Sequence, residues 1–290
     1  MIQRSTWLHL RVPFSIFLLP VYLFALSVST EVNLLFAFIV FIILHFFLYP
    51  ASNGYNSYFD KDEESIGGLK NPPRVSRELY YTSLSLDLIA ILAGLFISFE
   101  FALMLLIYGL VSKAYSHPAI RLKKHAVTGW FIAGVFQGFF TFLMVVVGIQ
   151  RSSVFTIIHH PAILIGGILA TMLLWGSYPM TQVYQHREDS KRGDQTISLK
   201  LGVIGTFHFT ALIFFVADIL FLFFYAHYYS NAHAFLFQLY VLPMLAYFVV
   251  WYVKVRNNER EANFENTMRL NLISSGCLIL FFLTAFYMQF

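Results

Sequence analysis

Two short segments of this 290-residue chain repeat one pattern of side chains that suit metal binding. The first contains Tyr49-Pro50, Tyr55-Asn56 and Asp60, and the second contains Tyr178-Pro179, Tyr184-Gln185 and Asp189, at a constant offset of 129 positions (60 to 189). Each copy has an aromatic–proline pair, an amide and a carboxylate at the same spacing. Paired carboxylates are typical of divalent-metal sites, so the repeat predicts such a site where the two copies meet.

The first copy extends into a longer stripe of oxygen-bearing side chains. Asn56, Asp60 and Glu64 are spaced by four, and each step of four residues on a helix rotates the side chain by only about 40° beyond a full turn. We therefore expect one helical face with an amide and two carboxylates. Asp62 is expected on the opposite, solvated side of that helix.

The second copy is poorer in carboxylates. Gln185 and Asp189 repeat the first two members of the stripe, but Gly193 stands in the third place. Oxygen ligands without a His/Cys set favour Mg²⁺, which keeps several waters and shares phosphate oxygens with a substrate. Basic residues near both copies add positive charge: Arg74, Arg121, Lys123, Arg187, Lys191 and Arg192. Metal, cations and apolar helices together predict an isoprenoid diphosphate as ligand.

The composition places these segments in a membrane protein. Hydrophobic residues make up 58% of the chain and charged residues 12%, against about 25% charged residues in soluble domains. Nine apolar runs are long enough to span a bilayer, near 12–30, 33–52, 79–98, 100–116, 127–149, 161–184, 203–226, 233–253 and 268–288. We expect an all-α polytopic fold of two pseudo-repeated four-helix halves plus one helix, with a central cavity opening to the cytoplasmic side.

The basic residues indicate the orientation. With the N-terminus inside, 18 of the 19 Lys and Arg residues fall on the cytoplasmic side and only Arg151 falls outside. Four spans separate the acidic segments, so both segments lie on the same side. We expect a multi-pass integral protein of the bacterial plasma membrane with a cytoplasmic N-terminus. The +4 charge therefore marks topology, and no nucleic-acid partner is expected.

The cytoplasmic segments resemble the UbiA family of intramembrane prenyltransferases. Asn56-Ser-Tyr-Phe-Asp60-Lys-Asp-Glu-Glu64 is similar to its first motif, NxxxDxxxD, and Asn71-Pro-Pro-Arg74 to the N-x-x-R that follows. Tyr115-Ser116-His117-Pro118 with Arg121, Leu122 and Lys123 resembles its YSxP…RLK loop. Gln185 to Thr196 with Leu201-Gly202 resembles its second motif, DxxxDxxxGxxT…LG.

The resemblance implies a Mg²⁺-dependent transfer of a prenyl group from an isoprenoid diphosphate to a lipophilic acceptor of the aromatic or quinone-precursor class. It implies Asp60, Glu64 and Asp189 as metal ligands. The implied catalytic residues are Asp60, Asp189, Arg121 and Lys123. The implied contacts to the prenyl diphosphate are Asn56, Arg74, Gln185, Arg187 and Arg192.

Two residues depart from the family pattern. Glu64 replaces an aspartate and keeps the carboxylate, whereas Gln185 replaces an aspartate and removes a charge. A catalytically weakened UbiA-like protein is therefore one alternative. A small-molecule or ion transporter is another, because Asp87 and Asp218 lie inside predicted spans.

We expect a single membrane-embedded domain over residues 1–290. Its motif loops lie at about 53–78, 115–126 and 182–202. The expected partners are the two substrates and the lipid bilayer, with no obligatory protein partner.

Overall fold

The structure, a computed structural model, describes residues 3–288. In this part of the chain, nine helices are long and apolar enough to cross a membrane, which confirms the all-α fold and the predicted number of spans. We label them α1 to α9 in chain order. Their bounds are Arg4–Val28, Leu34–Asp60, Arg77–Leu95, Phe99–Ser116, Ala126–Gln150, Pro161–Met180, Ile197–Tyr228, Asn231–Asn257 and Phe264–Tyr287.

Helix α1 begins earlier than predicted and is broken inside. An α-helical turn at Arg4–Leu10 is followed by Arg11 in the left-handed region, with φ of 48°, and then by a 3₁₀ segment, Val12–Leu18. Pro13 lies in the first turn of that segment, where the missing N–H of proline has no helical partner to lose. The break places Arg11 inside the first span, whereas the sequence predicted it in the flanking loop.

Helix α2 continues beyond its predicted end near residue 52. A π-helical stretch at Ile43–Leu48 is followed by a regular α-helical segment at Tyr49–Asp60. Pro50 supplies no N–H for the i→i−4 ladder, and the wider π turn accommodates it without ending the helix. As a result α2 carries the first acidic segment as far as Asp60.

The second copy of the repeat folds differently. Helix α6 ends at Met180, directly after Pro179, and a turn separates it from a short helix at His186–Arg192. Helix α7 then bends at Gly202, whose φ of 72° lies in the left-handed region that glycine adopts without strain. The repeated sequence pattern therefore gives a continuous helix in one copy and a helix–turn–helix in the other.

A second π turn, Phe136–Phe140, lies in the middle of α5. It brings Gly138 against α6 so closely that a Cβ at this position would lie 2.4 Å from the Cα of Thr171. The backbone N–H of Phe139, displaced from its usual helical partner, donates to Thr171 Oγ1 at 2.9 Å. The same turn directs Gln137 into the interior of the bundle.

Aromatic packing holds the end of the bundle that lies away from the acidic segments. Phe24 of α1 stacks on Phe282 of α9 with a centroid distance of 4.7 Å. It also meets Phe142 of α5 at 5.1 Å and Phe221 of α7 at 5.3 Å. Such pairs contribute about 0.5–1.5 kcal/mol each beyond their buried area, so this cluster fixes four helices around one ring.

Both acidic segments lie at the other end of the bundle. Arg192 forms an ion pair with Asp62, and the Gln185 amide donates to the Ser65 carbonyl at 3.3 Å. Parallel backbone bridges join 125–126 to 195–196. The four intervening helices thus return the chain to the same end, as predicted, and the side of the membrane that this end faces stays a prediction.

Candidate active site

A polar cavity lies where the two acidic segments meet. Its wall in the described range 3–288 combines acids, cations and amides. The acids are Asp60, Asp62, Asp189 and Asp194, the cations are Arg11, Lys123 and Arg192, and the amides are Asn53, Asn56, Gln137, Gln182 and Gln185. Charged groups of both signs in one enclosed space indicate a site for a charged ligand together with its counterions.

An apolar cavity of about 1240 Å³, including its open mouth, adjoins the polar one. Helices α1, α2 and α4 to α9 form its wall. The wall contains Phe14, Phe17, Leu18, Tyr108, Leu173, Leu174, Phe214, Met244 and Leu278. The two cavities share six wall residues: Phe14, Ser52, Asn53, Gln137, Tyr178 and Thr181. An amphiphile can therefore place its head in one cavity and its tail in the other.

Asp60 is the last helical residue of α2 and is paired with two cations of the loop after α4. Lys123 donates to both of its carboxylate oxygens, and Arg121 approaches Oδ1 at 3.4 Å. Lys123 also donates to Asn56 Oδ1 at 3.0 Å, which in addition accepts from Ser116 Oγ at 2.8 Å. The amide and the carboxylate of the first motif thus face the same cations.

The helical stripe predicted from the spacing of Asn56, Asp60 and Glu64 is wrong beyond Asp60. The helix ends there because Lys61 adopts a left-handed conformation with φ of 51°. Glu64 is consequently directed outward, where its side chain is 38% exposed and contacts Arg187 at 3.2 Å. Asp62 takes the buried position instead, which corrects the expectation that it is solvated. Burial and the neighbouring Asp60 raise the pKa of Asp62, while Arg192 opposes this rise.

Asp189 is the carboxylate of the second motif and lies on the short helix His186–Arg192. It accepts from Arg192 at 2.7 Å and from Thr196 Oγ1 at 3.2 Å. Burial raises the pKa of Asp189 to about 6, against the opposing effects of Arg192 and Thr196. Gln185 precedes this helix, and its amide lines the cavity.

Asp194 and two arginines connect the loops around the cavity. Arg121 donates to Asp194 through Nε at 2.7 Å and through Nη2 at 2.8 Å, a bidentate pair. Arg192 Nε approaches the same carboxylate at 3.3 Å. Burial raises the pKa of Asp194, but the hydrogen bond from Arg121 and the charges of Lys123, Arg121 and Arg192 together outweigh burial and lower the pKa, so this carboxylate stays ionised.

Two tyrosines and one glutamine mark the boundary between the cavities. The hydroxyls of Tyr115 and Tyr178 form a hydrogen bond across the bundle. Tyr178 and Gln137 line both the polar and the apolar cavity. This boundary is the place where a bond between a polar head and an apolar tail would lie.

The structure brings together most of the residues predicted from the motifs. Asn56, Asp60, Lys123, Gln185, Asp189 and Arg192 line the polar cavity, and Arg121 reaches it through Asp60 and Asp194. Glu64, Arg74 and Arg187 are not among the wall residues found between positions 3 and 288. Arg74 is exposed, and its backbone carbonyl accepts a hydrogen bond from the Ser5 hydroxyl. The Arg187 side chain is 75% exposed.

Sequence reasoning missed four residues of the site. The sequence predicts Asp62 in solvent and Arg11 only as a charge that marks topology, and its motifs assign no role to Asp194 or Gln137. The sequence does not indicate that the helix ends at Asp60, because the residue in the left-handed conformation there is Lys61 and not a glycine. The cue that was available for Asp194 is its place directly after Gly193, a helix-ending glycine with φ of 72°.

The donor chemistry of the cavity fits Mg²⁺. Its oxygen donors are carboxylates and amides, without thiolate or imidazole ligands in its described wall. Together with Arg121, the cavity brings four cations to four carboxylates, so it has no surplus positive charge for a diphosphate. No group of three acids, cysteines or histidines that could hold a metal by themselves occurs between residues 3 and 288.

Comparisons with known proteins match the whole bundle. The family model of the UbiA prenyltransferase family matches residues 16–273. A UbiA homolog from Archaeoglobus fulgidus, solved with DMAPP and Mg²⁺, is similar over 98% of this chain and 99% of its own, at 17% identity and a TM-score of 0.68. The same homolog with GPP and Mg²⁺ gives 16% identity and a TM-score of 0.67 over the same shares of the chains.

A structure reported for digeranylgeranylglyceryl phosphate synthase is also similar, over 98% of each chain, at 19% identity and a TM-score of 0.61. None of the curated protein sequences matches the chain. At these identities the solved structures establish the fold, and the family model establishes the wider relationship.

Proposed function

Because the chain belongs to the UbiA prenyltransferase family, we propose that it transfers a prenyl group from an isoprenoid diphosphate to a lipophilic acceptor within the membrane. The family assignment identifies the chain as a prenyltransferase and an integral multi-pass membrane protein. The observation that carries the proposal is the polar cavity with its acids and cations, which shares six wall residues with the apolar cavity.

The diphosphate head is proposed to bind in the polar cavity with Mg²⁺. Asp60 and Asp189 are the proposed metal ligands, Asn56 and Gln185 are amides beside them, and Glu64 requires the loop after Asp60 to turn inward. When bound, Mg²⁺ would neutralise the diphosphate as a Lewis acid and orient it. The Archaeoglobus fulgidus homolog, solved with GPP and Mg²⁺ and with DMAPP and Mg²⁺, supports a prenyl diphosphate with Mg²⁺ as the ligand.

Arg121, Lys123 and Arg192 are proposed to stabilise the leaving diphosphate as the allylic C–O bond breaks. All three contact carboxylates of the cavity, so they are already oriented toward the place where negative charge develops. Arg74 and Arg187, the other predicted contacts to the diphosphate, lie on exposed segments and reach the head only if those segments close over it.

The prenyl tail and the acceptor are proposed to occupy the apolar cavity. Phe14, Phe17, Tyr49 and Phe214 give its wall an aromatic character, which supports an acceptor of the aromatic or quinone-precursor class. The allylic cation then bonds to an electron-rich carbon of the acceptor, which loses a proton, while pyrophosphate leaves from the polar cavity. Tyr115 and Tyr178, whose hydroxyls are hydrogen-bonded to each other at the boundary, are proposed to restrict the entry of water there.

One chain is proposed to be sufficient for activity, as a single domain without an obligatory protein partner, because one chain supplies acids, cations and amides to the polar cavity and an apolar wall to the adjoining one. The proposed location is the bacterial plasma membrane, with the N-terminus and the polar cavity on the cytoplasmic side. The charge distribution of the loops supports this orientation.

The test is mass spectrometry of products after incubating the purified protein with isotopically labelled prenyl diphosphates, Mg²⁺ and candidate acceptors. We expect a product heavier by the prenyl group, dependent on Mg²⁺ and absent with Asp60→Ala. The replacement Gln185 favours a second possibility, a weakened enzyme. Binding of the diphosphate without any product across aromatic, quinone-precursor and glycerol phosphate acceptors would identify that case.

A further inference from the structure

Arg11 is a cation held inside the first membrane span at the edge of the polar cavity. It occupies the break in α1, and its guanidinium donates to the carbonyls of Gly67 at 3.1 Å and Asn53 at 3.2 Å. The residue is only 9% exposed. Backbone carbonyls from two other segments therefore fix the direction of the guanidinium without forming an ion pair with it.

The other cations at this cavity are ion-paired, and Arg11 is not. Lys123 pairs with Asp60, Arg192 with Asp189, and Arg121 with Asp194, whereas no carboxylate in the described part of the chain lies within 4.0 Å of Arg11. Its Nε is buried and has no hydrogen-bond partner. A buried cation without a carboxylate in direct contact is costly, so its presence points to an anion that arrives with a ligand.

The contact of Arg11 with Phe14 does not replace such an anion. The guanidinium carbon lies 5.5 Å from the ring centroid, a cation–π contact of about 0.5–2 kcal/mol. That contact uses the ring face, and the carbonyls of Gly67 and Asn53 take two of the five in-plane N–H groups. The others, including the Nε–H, remain available to bind phosphate oxygens. Arg11 is thus oriented and partly desolvated before any ligand is bound.

Tyr184 lines the same cavity and has a second unused donor. Its hydroxyl is buried and has no hydrogen-bond partner. Arg11 and Tyr184 both lie in the wall of this cavity. Burial raises the pKa of Tyr184, and the Arg11 cation opposes part of that rise. The phenol therefore remains protonated and is available to donate to an anion that Arg11 binds.

We propose that Arg11 and Tyr184 form a subsite for the diphosphate of the prenyl donor, separate from the Lys123 and Arg192 ion pairs. The inference rests on the proposed function, since it deepens the assignment of that cavity to a prenyl diphosphate. The diphosphate is the ligand group favoured here because the subsite shares its cavity with the four carboxylates that suit metal binding. The donor's head then contacts α1 as well as the two motif loops.

The experiment measures binding of geranyl diphosphate and of inorganic pyrophosphate, each with Mg²⁺, to the purified full-length protein. Arg11→Gln and Tyr184→Phe are compared with the wild type. We expect each variant to lose about tenfold or more in affinity for both ligands, the effect of losing a hydrogen bond to a charged group. Equal losses for the two ligands are expected because the contact is with the head alone.

Arg151→Gln is the matched control. Arg151 also has a left-handed backbone, with φ of 53°, donates to a carbonyl, that of Ile97, and covers an aromatic ring, that of Phe36. It lies at the opposite end of the bundle, away from both cavities. We expect Arg151→Gln to leave diphosphate affinity unchanged. If the loss of any arginine that tethers a helix were enough to weaken binding, Arg151→Gln would lose affinity as Arg11→Gln does.

Tyr184→Phe keeps the test decisive if Arg11→Gln does not fold, because it removes an oxygen that makes no hydrogen bond in the structure. A purely structural role predicts no loss of affinity in this variant. Unchanged affinity in Tyr184→Phe and Arg11→Gln, with a wild type that binds, overturns the subsite alone. A wild type that does not bind geranyl diphosphate with Mg²⁺ overturns the proposed function and the subsite with it.

Discussion

Arg192 of the second acidic segment forms an ion pair with Asp62 of the first, 130 positions earlier in the chain. The side chains are 17% and 6% exposed, and the same guanidinium contacts Asp189 at 2.7 Å. The carboxylates of Asp62, Asp60, Asp189 and Asp194 outweigh burial and raise the pKa of Arg192, so it stays charged. One side chain therefore joins the two motif loops across the cavity.

The first prediction concerns Asp62. Asp62→Asn leaves Arg192 without its partner in the first segment, and we expect a loss of about 1–3 kcal/mol in stability and a reduced rate of prenyl transfer. Thermal unfolding in detergent and product formation measure the two effects. Glu64→Gln is the control, because its exposed pair with Arg187 contributes about 0–1 kcal/mol. If Glu64→Gln were the more damaging change, the geometric ranking of these two acids would be wrong.

The second prediction concerns Asp60. Asp60→Ala removes the carboxylate that Lys123 holds with both oxygens and that we propose as a metal ligand. We expect the turnover number to fall by about 100-fold or more. Asp87→Ala is the control, since Asp87 forms a buried ion pair with Lys113 outside the cavity. It should lower thermal stability while turnover per folded molecule stays near the wild-type value.

The sequence was sufficient for the fold because membrane helices follow from apolar length. Hydropathy alone predicts the number of spans. Because an even number of spans separates the acidic segments, both segments are predicted at the same end of the bundle. Helix interiors were harder to predict. The π turn at Ile43–Leu48 carries α2 through Pro50, and no local signal distinguishes that outcome from a helix end.

The sequence motifs predict which segments form the site. Which side chains of those segments face the cavity depends on the conformation of single backbone residues. Asn56 and Asp60 could be predicted because they lie on continuous helix. Lys61 adopts a left-handed conformation, which directs Glu64 outward and Asp62 inward. Lysine carries no propensity for that conformation, so spacing rules applied beyond Asp60 gave the wrong face.

The intramembrane acids that suggested a transporter have partners on neighbouring helices. Asp87 of α3 pairs with Lys113 of α4, and Asp218 of α7 accepts from the Gln238 amide of α8 at 3.0 Å. Both contacts join consecutive helices of a hairpin. They account for these residues as interhelical contacts and remove the main support for a transport pathway.

The third prediction is a pH dependence of stability that originates at Asp189. Its pKa is about 6 in the folded chain, above the usual 3.8, so the folded state binds more protons than the unfolded state between those values. Stability therefore falls as the pH rises from about 4 to 6, on the order of 1–3 kcal/mol. Unfolding temperatures of the wild type and Asp189→Asn measure it. The asparagine variant should lack this component, and parallel curves for the two proteins would contradict the assignment.

The fourth prediction concerns the length of the prenyl chain. Ser274 of α9 lines the apolar cavity, and Ser274→Trp would fill space there. We expect the variant to lose more activity with geranylgeranyl diphosphate than with dimethylallyl diphosphate, since only the longer tail reaches deep into the cavity. The ratio of kcat/KM values for the two donors measures this. Leu283→Trp, on an exposed position of the same helix, is the control and should leave the ratio unchanged.

The fifth prediction concerns Gln185, the amide in place of an aspartate of the family motif. Gln185 lines the polar cavity and donates to the Ser65 carbonyl at 3.3 Å. Gln185→Asp adds a negative charge beside the other acids of the cavity. Charges a few Å apart interact by about 4 kcal/mol at an effective dielectric constant near 20. We therefore expect tighter Mg²⁺ binding in the variant and, at low Mg²⁺, weaker diphosphate binding through direct repulsion.

The measurement for Gln185 is a Mg²⁺ titration of prenyl diphosphate binding. Gln185→Asn is the control, because it shortens the side chain equally and adds no charge. The aspartate curve should cross the wild-type curve, lying below it at low Mg²⁺ and above it at high Mg²⁺, whereas the asparagine curve should not cross. If the aspartate and asparagine curves coincide, the contact with Ser65 is the only role of Gln185, and the charge missing from the motif has no effect on metal binding.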